Sequence, residues 1–444
     1  MSDKDTIAAV ASAPGRGAIG VIRVSGPKVP AIARELLGLL PQPRVAALRA
    51  FLDAAGSSID SGLALYFPAP HSFTGEDVLE LHGHGGAVVL DLLLRRLLSL
   101  GCRAARPGEF SERAFLNGKL DMTQAEAIAD LIDAGSEAAA RAAVRSLQGE
   151  FSAAIHELQN QITALRVLVE AAIDFPDEEI DFASNAALTD RLRALHAAFD
   201  DIEAKAHQGA LLREGLKVVI AGRPNAGKSS LMNRLAGDSV AIVTDTPGTT
   251  RDVLRASVQI NGLAVELIDT AGLRATEEHI EAEGVRRAQK EIQNADLVLY
   301  LMDAKASGPE EPPVLAAHAK LLRVFNKVDL LNAAERAHLD AIGASLKVSA
   351  VSGDGLDELR RAINSAAGFA PGAGVFSARR RHLAALERAH VAVREAEQSL
   401  GNARAFELFA EDLRIAQRFL SEITGQFGSE ELLGEIFSSF CIGK

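Results

Sequence analysis

The residues with the plainest chemistry are Gly222-Arg-Pro-Asn-Ala-Gly227-Lys228-Ser229, which fit the pattern G-x-x-x-x-G-K-[ST]. Glycines at both ends let a short loop turn its N–H groups inward. Asn225, Ala226, Gly227 and the first helical residues, Lys228, Ser229 and Ser230, can then surround phosphate oxygens at a helix N-terminus. Lys228 supplies charge for the β- and γ-phosphates, and the Ser229 hydroxyl is a hard ligand suited to Mg²⁺. Three further motifs follow in the order a guanine nucleotide requires. Asp269-Thr270-Ala271-Gly272 closes an apolar run, placing a carboxylate near the metal and a glycine N–H near the γ-phosphate. Asn326-Lys327-Val328-Asp329 offers the Asp329 carboxylate to the guanine N1–H and exocyclic amine, a donor pair that adenine lacks. Ser349-Ala350 supplies main-chain contacts behind the base. Four motifs in register point to GTP.

Between the first two motifs lies Thr244-Asp245-Thr246-Pro247-Gly248-Thr249-Thr250-Arg251, where a switch loop should bring a threonine to Mg²⁺. Signalling GTPases orient the attacking water with a glutamine after the D-x-x-G motif. Here that position is Leu273, so water activation and charge stabilisation must come from elsewhere. The Asn225 side-chain oxygen could coordinate a monovalent cation beside the phosphates, or Asn225 could simply stabilise the turn. Spacing alone does not separate the two.

These motifs need a scaffold that holds loops at strand ends. Residues 216–221, 265–269, 297–303, 323–326 and 346–349 read as strands with helical patterns between most of them, which predicts a parallel α/β sheet. Before it, residues 123–173 repeat apolar residues every three or four positions, as a long helix or helical pair broken by Pro176, and 187–208 reads as another helix. After it, 370–374 is a linker and 379–444 returns to amphipathic helices. At the start of the chain, 18–24 and 62–67 read as strands and 29–40 and 87–100 as helices, punctuated by Pro and Gly. The expected fold is therefore an α/β P-loop GTPase domain (212–373) inserted into an all-α helical domain (120–211 and 374–444), preceded by a small α+β domain (1–119). Insertion is preferred over two separate helical domains because an autonomous α/β domain has its termini close together.

A length of 444 residues suits about three domains. With 47 basic and 59 acidic residues the net charge is −12, which argues against wrapping nucleic acid over a broad surface. A local basic patch such as Arg379-Arg380-Arg381 is still compatible with it. Two cysteines exclude a disulfide framework and fit a reducing compartment, and neither a secretory signal nor a membrane span is expected, so the predicted location is cytoplasmic.

Taken together, Gly15-Arg-Gly-Ala-Ile-Gly20, Asn117-Gly-Lys119-Leu-Asp121, Thr123-Gln-Ala-Glu-Ala127, the nucleotide motifs, residues 247–252 and the terminal Cys441-Ile-Gly-Lys444 make the whole chain resemble the MnmE/TrmE family of tRNA-modification GTPases. The resemblance implies a homodimer formed through the N-terminal domain and a GTPase activated by K⁺. Asn225, Thr244, Thr246 and Thr249 resemble the K⁺ site, Ser229 and Thr250 the Mg²⁺ ligands, and Glu281 the glutamate that orients or activates water. It also implies a reduced folate, such as 5,10-methylenetetrahydrofolate, as one-carbon donor, with Arg23, Glu80, Lys119 and Lys444 resembling the folate contacts. Unaided, Arg23 would read as ordinary surface and Glu281 as helix-surface charge. The implied partner is an MnmG/GidA-type flavoprotein that carries FAD and binds NADH. The two form a heterotetramer or larger complex that adds an aminomethyl or carboxymethylaminomethyl group to carbon 5 of the wobble uridine (U34) of certain tRNAs.

Two features stay ambiguous at this level. Cys441 suits either a nucleophile or a residue placed only by docking of the tail, behind a helix predicted to start at Ser429. His82-Gly-His84-Gly-Gly86 could suggest a metal, but no ligand cluster with suitable spacing accompanies it, and a glycine-rich turn is the plainer reading. The rival in another class is an Era- or Der-like ribosome-assembly GTPase, which would need a KH-like domain or a second P-loop; a folate enzyme with a regulatory GTPase is a third reading.

Overall fold

The computed structural model describes residues 5–174, 186–237, 254–269, 278–306, 311–341, 346–370, 372, 374–399, 405–426, 434, 436–438, 440 and 443. They form two compact units: Met1–Ala129 with Leu147–Leu188 and Arg388–Lys444, and Asp130–Ser146 with Thr189–Glu387. None of the described helices is long and apolar enough to cross a membrane.

The first unit begins with β1 (Ile7–Val10), β2 (Gly17–Ser25), α1 (Val29–Leu37), β3 (Ala47–Leu52), β4 (Ser58–Phe67), β5 (Val78–Gly85), α2 (Ala87–Ser99), β6 (Arg103–Ala104) and α3 (Glu109–Leu116). The strands make one sheet in the order β3-β4-β5-β2-β1-β6. Alternation decides its faces. Ile22, Val24, Leu79 and Leu81 are buried with Val29, Ile32 and Leu36 of α1 and Leu93 and Leu97 of α2, each such side chain contributing about 1.5–3 kcal/mol. Arg23, Glu80 and His82 alternate with them, with Arg23 opposite Glu80 and Val21 opposite His82 in the β2–β5 register. Pro30 opens α1, and Gly38, at φ 77°, ends it three residues before the predicted limit.

The apolar repeat of 123–173 yields three helices instead of one or two: α4 (Met122–Ile132), α5 (Glu137–Leu147) and α6 (Glu150–Asp174). Ser136 Oγ caps the Ala139 N–H at 3.1 Å and starts α5, and Gly149, at φ 87°, separates α5 from α6. α7 (Ala186–Glu214) extends beyond its predicted end.

The second unit contains β7 (Leu216–Ala221), α8 (Lys228–Gly237), β8 (Leu254–Ile260), β9 (Leu263–Asp269), α9 (Glu278–Gln293), β10 (Leu297–Asp303), β11 (Lys320–Asn326), α10 (Ala333–Ala341) and α11 (Leu356–Ala367). Its sheet runs β11-β10-β7-β9-β8. The strands expected to be parallel are parallel, and an additional, unpredicted edge strand, β8, runs antiparallel to β9. The expected strand 346–349 shrinks to a single bridge between Lys347 and Phe325. Its ladder stops because Ser349 gives its N–H to Asp354 O at 2.9 Å and its carbonyl to Gly353 N–H, also at 2.9 Å, committing it to the following turn.

α12 (Arg380–Ser399) and α13 (Ala405–Thr424) complete the chain. In the first unit α13 packs on α6, and Gln159 Nε2 donates to Ser421 Oγ at 2.9 Å. The run Arg379–Arg381 is not a bare cationic patch: Arg379 pairs with Asp130 and Arg380 with Glu214, each at 2.9 Å.

Candidate functional site

β7 is flanked by β10 and β9, so its C-terminal end opens at the crevice where the chain leaves the sheet on either side. The phosphate loop starts there. Gly222 has φ 145° and a Cβ at this position would collide with the Leu301 carbonyl oxygen; Gly227 has φ 94° and would collide with the Asn326 amide. Both motif glycines are thus required by backbone direction and by close approach. Asn225 adopts φ 65°, which asparagine tolerates better than most residues. Its side chain is exposed and, among the described residues, makes no hydrogen bond. Lys228, 6% exposed, folds its ammonium back onto Gly222 O and Arg223 O, both at 2.9 Å. Ser229 Oγ donates to Oδ2 of the fully buried Asp269 at 2.6 Å. A hydroxyl and a carboxylate held this close form the kind of hard-oxygen donor set that suits Mg²⁺.

The base-side motifs meet the same loop. Asn326, 1% exposed, donates from Nδ2 to Ala226 O at 2.8 Å and accepts the Ala350 N–H on Oδ1 at 3.1 Å. One side chain therefore joins the phosphate loop to the Ser349-Ala350 loop. Buried Ser349 accepts the Ser352 N–H on Oγ at 3.0 Å, shaping that loop. Asp329 lies exposed in a short 3-10 turn, Val328–Leu330. Residues 244–250 and Thr270, Ala271 and Gly272 lie outside the described residues. Glu281 falls within α9.

In the first unit, Arg23 and Glu80 are brought together: the guanidinium meets Glu80 Oε1 at 2.8 Å and lies 5.3 Å from the Phe73 ring centroid and 5.8 Å from that of Phe110. This corrects the reading of Arg23 as ordinary surface, since a strand-end arginine between two aromatic faces is half-buried. The other Glu80 oxygen lies 3.2 Å from His82 Nε2. Lys119 Nζ donates to Pro70 O at 3.1 Å. The loop 68–77 thus touches both candidate cations. His84 Nδ1 faces Asp60 Oδ1 at 2.7 Å, and no group of three ligating side chains among the described residues includes His82 or His84.

At the chain's end, Phe437 and Phe440 are buried with Met122, Ala125 and Ala129. Buried Gly443 lies so close to the Val10 carbonyl that a Cβ would collide with it. Phe437, Phe440 and Gly443 are thus seated against the N-terminal part of the chain, whereas Ser429, Cys441 and Lys444 lie outside the described residues.

Residues 6–119 match the family pattern for the N-terminus of the GTP-binding protein TrmE, and residues 122–441 match that for the MnmE helical domain. The chain belongs to the MnmE family. A tRNA modification GTPase MnmE of Methylococcus capsulatus is 57% identical over 445 residues, spanning 100% of this chain and 99% of the relative. The MnmE of Thiobacillus denitrificans is 56% identical, spanning 99% and 98%. That of Yersinia pseudotuberculosis serotype O:1b is 55% identical over 100% of both chains. Full-length similarity to MnmE proteins sets aside the Era- or Der-like alternative.

Several residues at these sites went unpredicted. Phe73 and Phe110 frame Arg23, and Asp303 pairs with Lys327. Arg113 holds Glu76, which in turn accepts the Ser25 hydroxyl at 2.7 Å. The acid ending the Leu-Tyr-Leu-Met-Asp strand was the one local signal for Asp303.

Proposed function

We propose that this MnmE-family chain hydrolyses GTP in the service of tRNA wobble-uridine modification, carried out with a flavoprotein partner. The observation that carries the GTPase part is the joining of four separate motifs: Ser229 to Asp269, and Asn326 to both Ala226 and Ala350. Family membership and the names of the full-length relatives support the tRNA part.

Lys228 and the loop N–H groups bind the phosphates, and Asp329 recognises guanine. Ser229 and Thr250 hold Mg²⁺, while Asn225, Thr244, Thr246 and Thr249 hold K⁺. The exposed, uncommitted amide of Asn225 supports that assignment. Bound K⁺ supplies positive charge for the transition state where other GTPases use an arginine. Glu281 orients the attacking water. Glu281→Ala is expected to lower GTP turnover by about 10²-fold or more while leaving mant-GDP affinity within a factor of about two. Unchanged turnover removes Glu281 from the mechanism.

Arg23, Glu80 and Lys119, with the tail residue Lys444, receive a reduced folate. The half-buried Arg23–Glu80 pair, with Phe73 beside the guanidinium, suits a flat heterocycle with a polar edge. Arg23→Ala should weaken 5-formyltetrahydrofolate binding by at least ~10-fold in isothermal titration, with GTPase activity retained. No heat of binding with the unaltered protein would defeat the folate assignment.

The protein acts in the cytoplasm as a homodimer. Its nucleotide cycle reorganises the complex, and the carbon chemistry belongs to the folate and the flavin of the partner. Analysis of wobble uridine in tRNA from a deletion strain tests the whole proposal; normal modification would sink it.

A further inference from the structure

The C-terminal edge of the second unit's sheet carries an acidic side chain that none of the four nucleotide motifs contains. β10 and β11 run parallel with Asp303 opposite Asn326, and the ladder is prolonged by Ala304 N–H donating to Asn326 O at 2.9 Å. This register sets Asp303 beside Lys327, the second residue of the guanine motif. Lys327 Nζ donates to Asp303 Oδ2 at 2.7 Å, and each side chain is less than a third exposed. The other carboxylate oxygen, Oδ1, accepts the Lys305 N–H at 3.0 Å. Asp303 is therefore fixed on both oxygens, and it fixes the lysine in turn.

Two residues beyond that lysine stands Asp329, exposed in its short turn, with no side chain among the described residues donating to it. Guanine recognition needs both Asp329 oxygens. A free lysine ammonium two residues away is their nearest competitor within the motif. A surface ion pair there need be only modest in strength to occupy a carboxylate that must otherwise wait for the base. A tethered lysine cannot make that pair. It also loses less side-chain freedom when the base arrives, because its rotamers are already restricted. Lys327 itself has φ 67°, a backbone conformation that turns the chain sharply between Asn326 and Asp329, so the directions taken by the three side chains are set locally.

We infer that Asp303 is a positioning residue for guanine specificity: it holds the Lys327 ammonium away from Asp329 and leaves the Asp329 carboxylate open to the base. The inference rests on the GTPase reading. Burial pushes the Asp303 carboxyl upward, but the hydrogen bonds from Lys327 and from the Lys305 N–H outweigh it and hold the group below the ordinary aspartate range. Asp303 is thus charged whenever the protein meets nucleotide at neutral pH.

The test compares Asp303→Ala, Asp303→Asn and Lys327→Met in the full chain, using mant-GDP fluorescence with displacement by GDP and by IDP, which lacks the exocyclic amine. Asp303→Ala should weaken GDP by roughly tenfold, the size of one charge-assisted hydrogen bond. It should also lower the preference for GDP over IDP by about threefold or more, because the lost interaction is the one to the amine. Asp303→Asn should fall between, since it keeps an acceptor for the Lys305 N–H and drops the charge; it also serves if the alanine variant fails to fold. In the Lys327→Met background, Asp303→Ala should add little, because the ammonium it restrains is gone. A purely structural Asp303 would weaken GDP and IDP alike and would do so in either background. That pattern, or unchanged affinity and preference, would overturn the inference. Failure of the unaltered chain to bind mant-GDP would overturn the GTPase reading along with it.

Discussion

Lys228→Ala is expected to lower affinity for GDP and GTP by at least ~100-fold while changing the thermal midpoint of the protein little. The asymmetry follows from where the ammonium sits. It donates to Gly222 O and Arg223 O, both at 2.9 Å, on a loop whose residues 222–225 are half-buried or exposed. Those carbonyls regain water when the lysine is removed, so the fold loses little beyond the lysine's own packing. The nucleotide loses the motif's lysine ammonium, which supplies charge for its β- and γ-phosphates beside the loop's N–H dipoles. Two charge-assisted hydrogen bonds at about 1.5–3 kcal/mol each exceed what a loop carbonyl recovers from solvent. Lys228→Arg should not rescue binding, because a planar fork cannot replace a point charge within a cage closed by Gly222 and Gly227. Titration with mant-GTP decides this, and near-native affinity in Lys228→Ala would remove the lysine from phosphate binding.

How far the sequence discloses such a site depends on whether its parts are local. The phosphate loop is legible because glycines, lysine and serine must stand at fixed spacing on one strand–loop–helix unit. Asn326 is legible as a motif member, but its bridging role is not, since it depends on Ala226 lying a hundred residues earlier. The same holds for Arg23 and Glu80: only the β2–β5 register places them opposite each other. Some strands were hidden by composition. β3, Ala-Leu-Arg-Ala-Phe-Leu, is made of good helix formers, and β5 ends in Gly-His-Gly, which reads as a turn. The antiparallel β8 did leave a signal. Asn261-Gly262, with φ 48° and 93°, is a two-residue hairpin turn joining β8 to β9, and it shows why a sheet otherwise made by crossovers has one reversed edge.

Where pairing is set by tertiary register, the cost of breaking it is correspondingly large, and Arg113 is the clearest case. Its guanidinium, 13% exposed, donates to Asp5 Oδ1 at 2.6 Å, to Glu76 Oε2 at 3.0 Å and to Glu109 Oε1 at 3.1 Å. These acids come from the start of the chain, the loop 68–77 and α3. Arg113→Ala is expected to destabilise the N-terminal sheet by about 3 kcal/mol, the lower end for breaking a buried pair. The lower end applies because buried Glu109 keeps Arg103 at 2.6 Å and the Arg106 N–H at 2.8 Å, while Asp5 and Glu76 are exposed enough to recruit water. Arg113→Lys should recover only part, since an ammonium cannot fork among three carboxylates. Acid should act through the same network. The hydrogen bond from Arg103 holds Asp5 below its ordinary value of 3.8 against the opposing effect of burial. Burial pushes Glu109 up from 4.5, but Arg103, the Arg106 N–H and Arg113 outweigh it and hold it lower. Groups with lowered folded values stabilise fully above their unfolded values, and that stability is lost as pH falls through the folded ones. Amide exchange of β1 and β2 should therefore be well protected at neutral pH and lose protection below the ordinary carboxylate range. In Arg113→Ala it should begin less protected and fall more shallowly with acid. Equal protection of the two proteins at neutral pH would show that the network does not hold this sheet together.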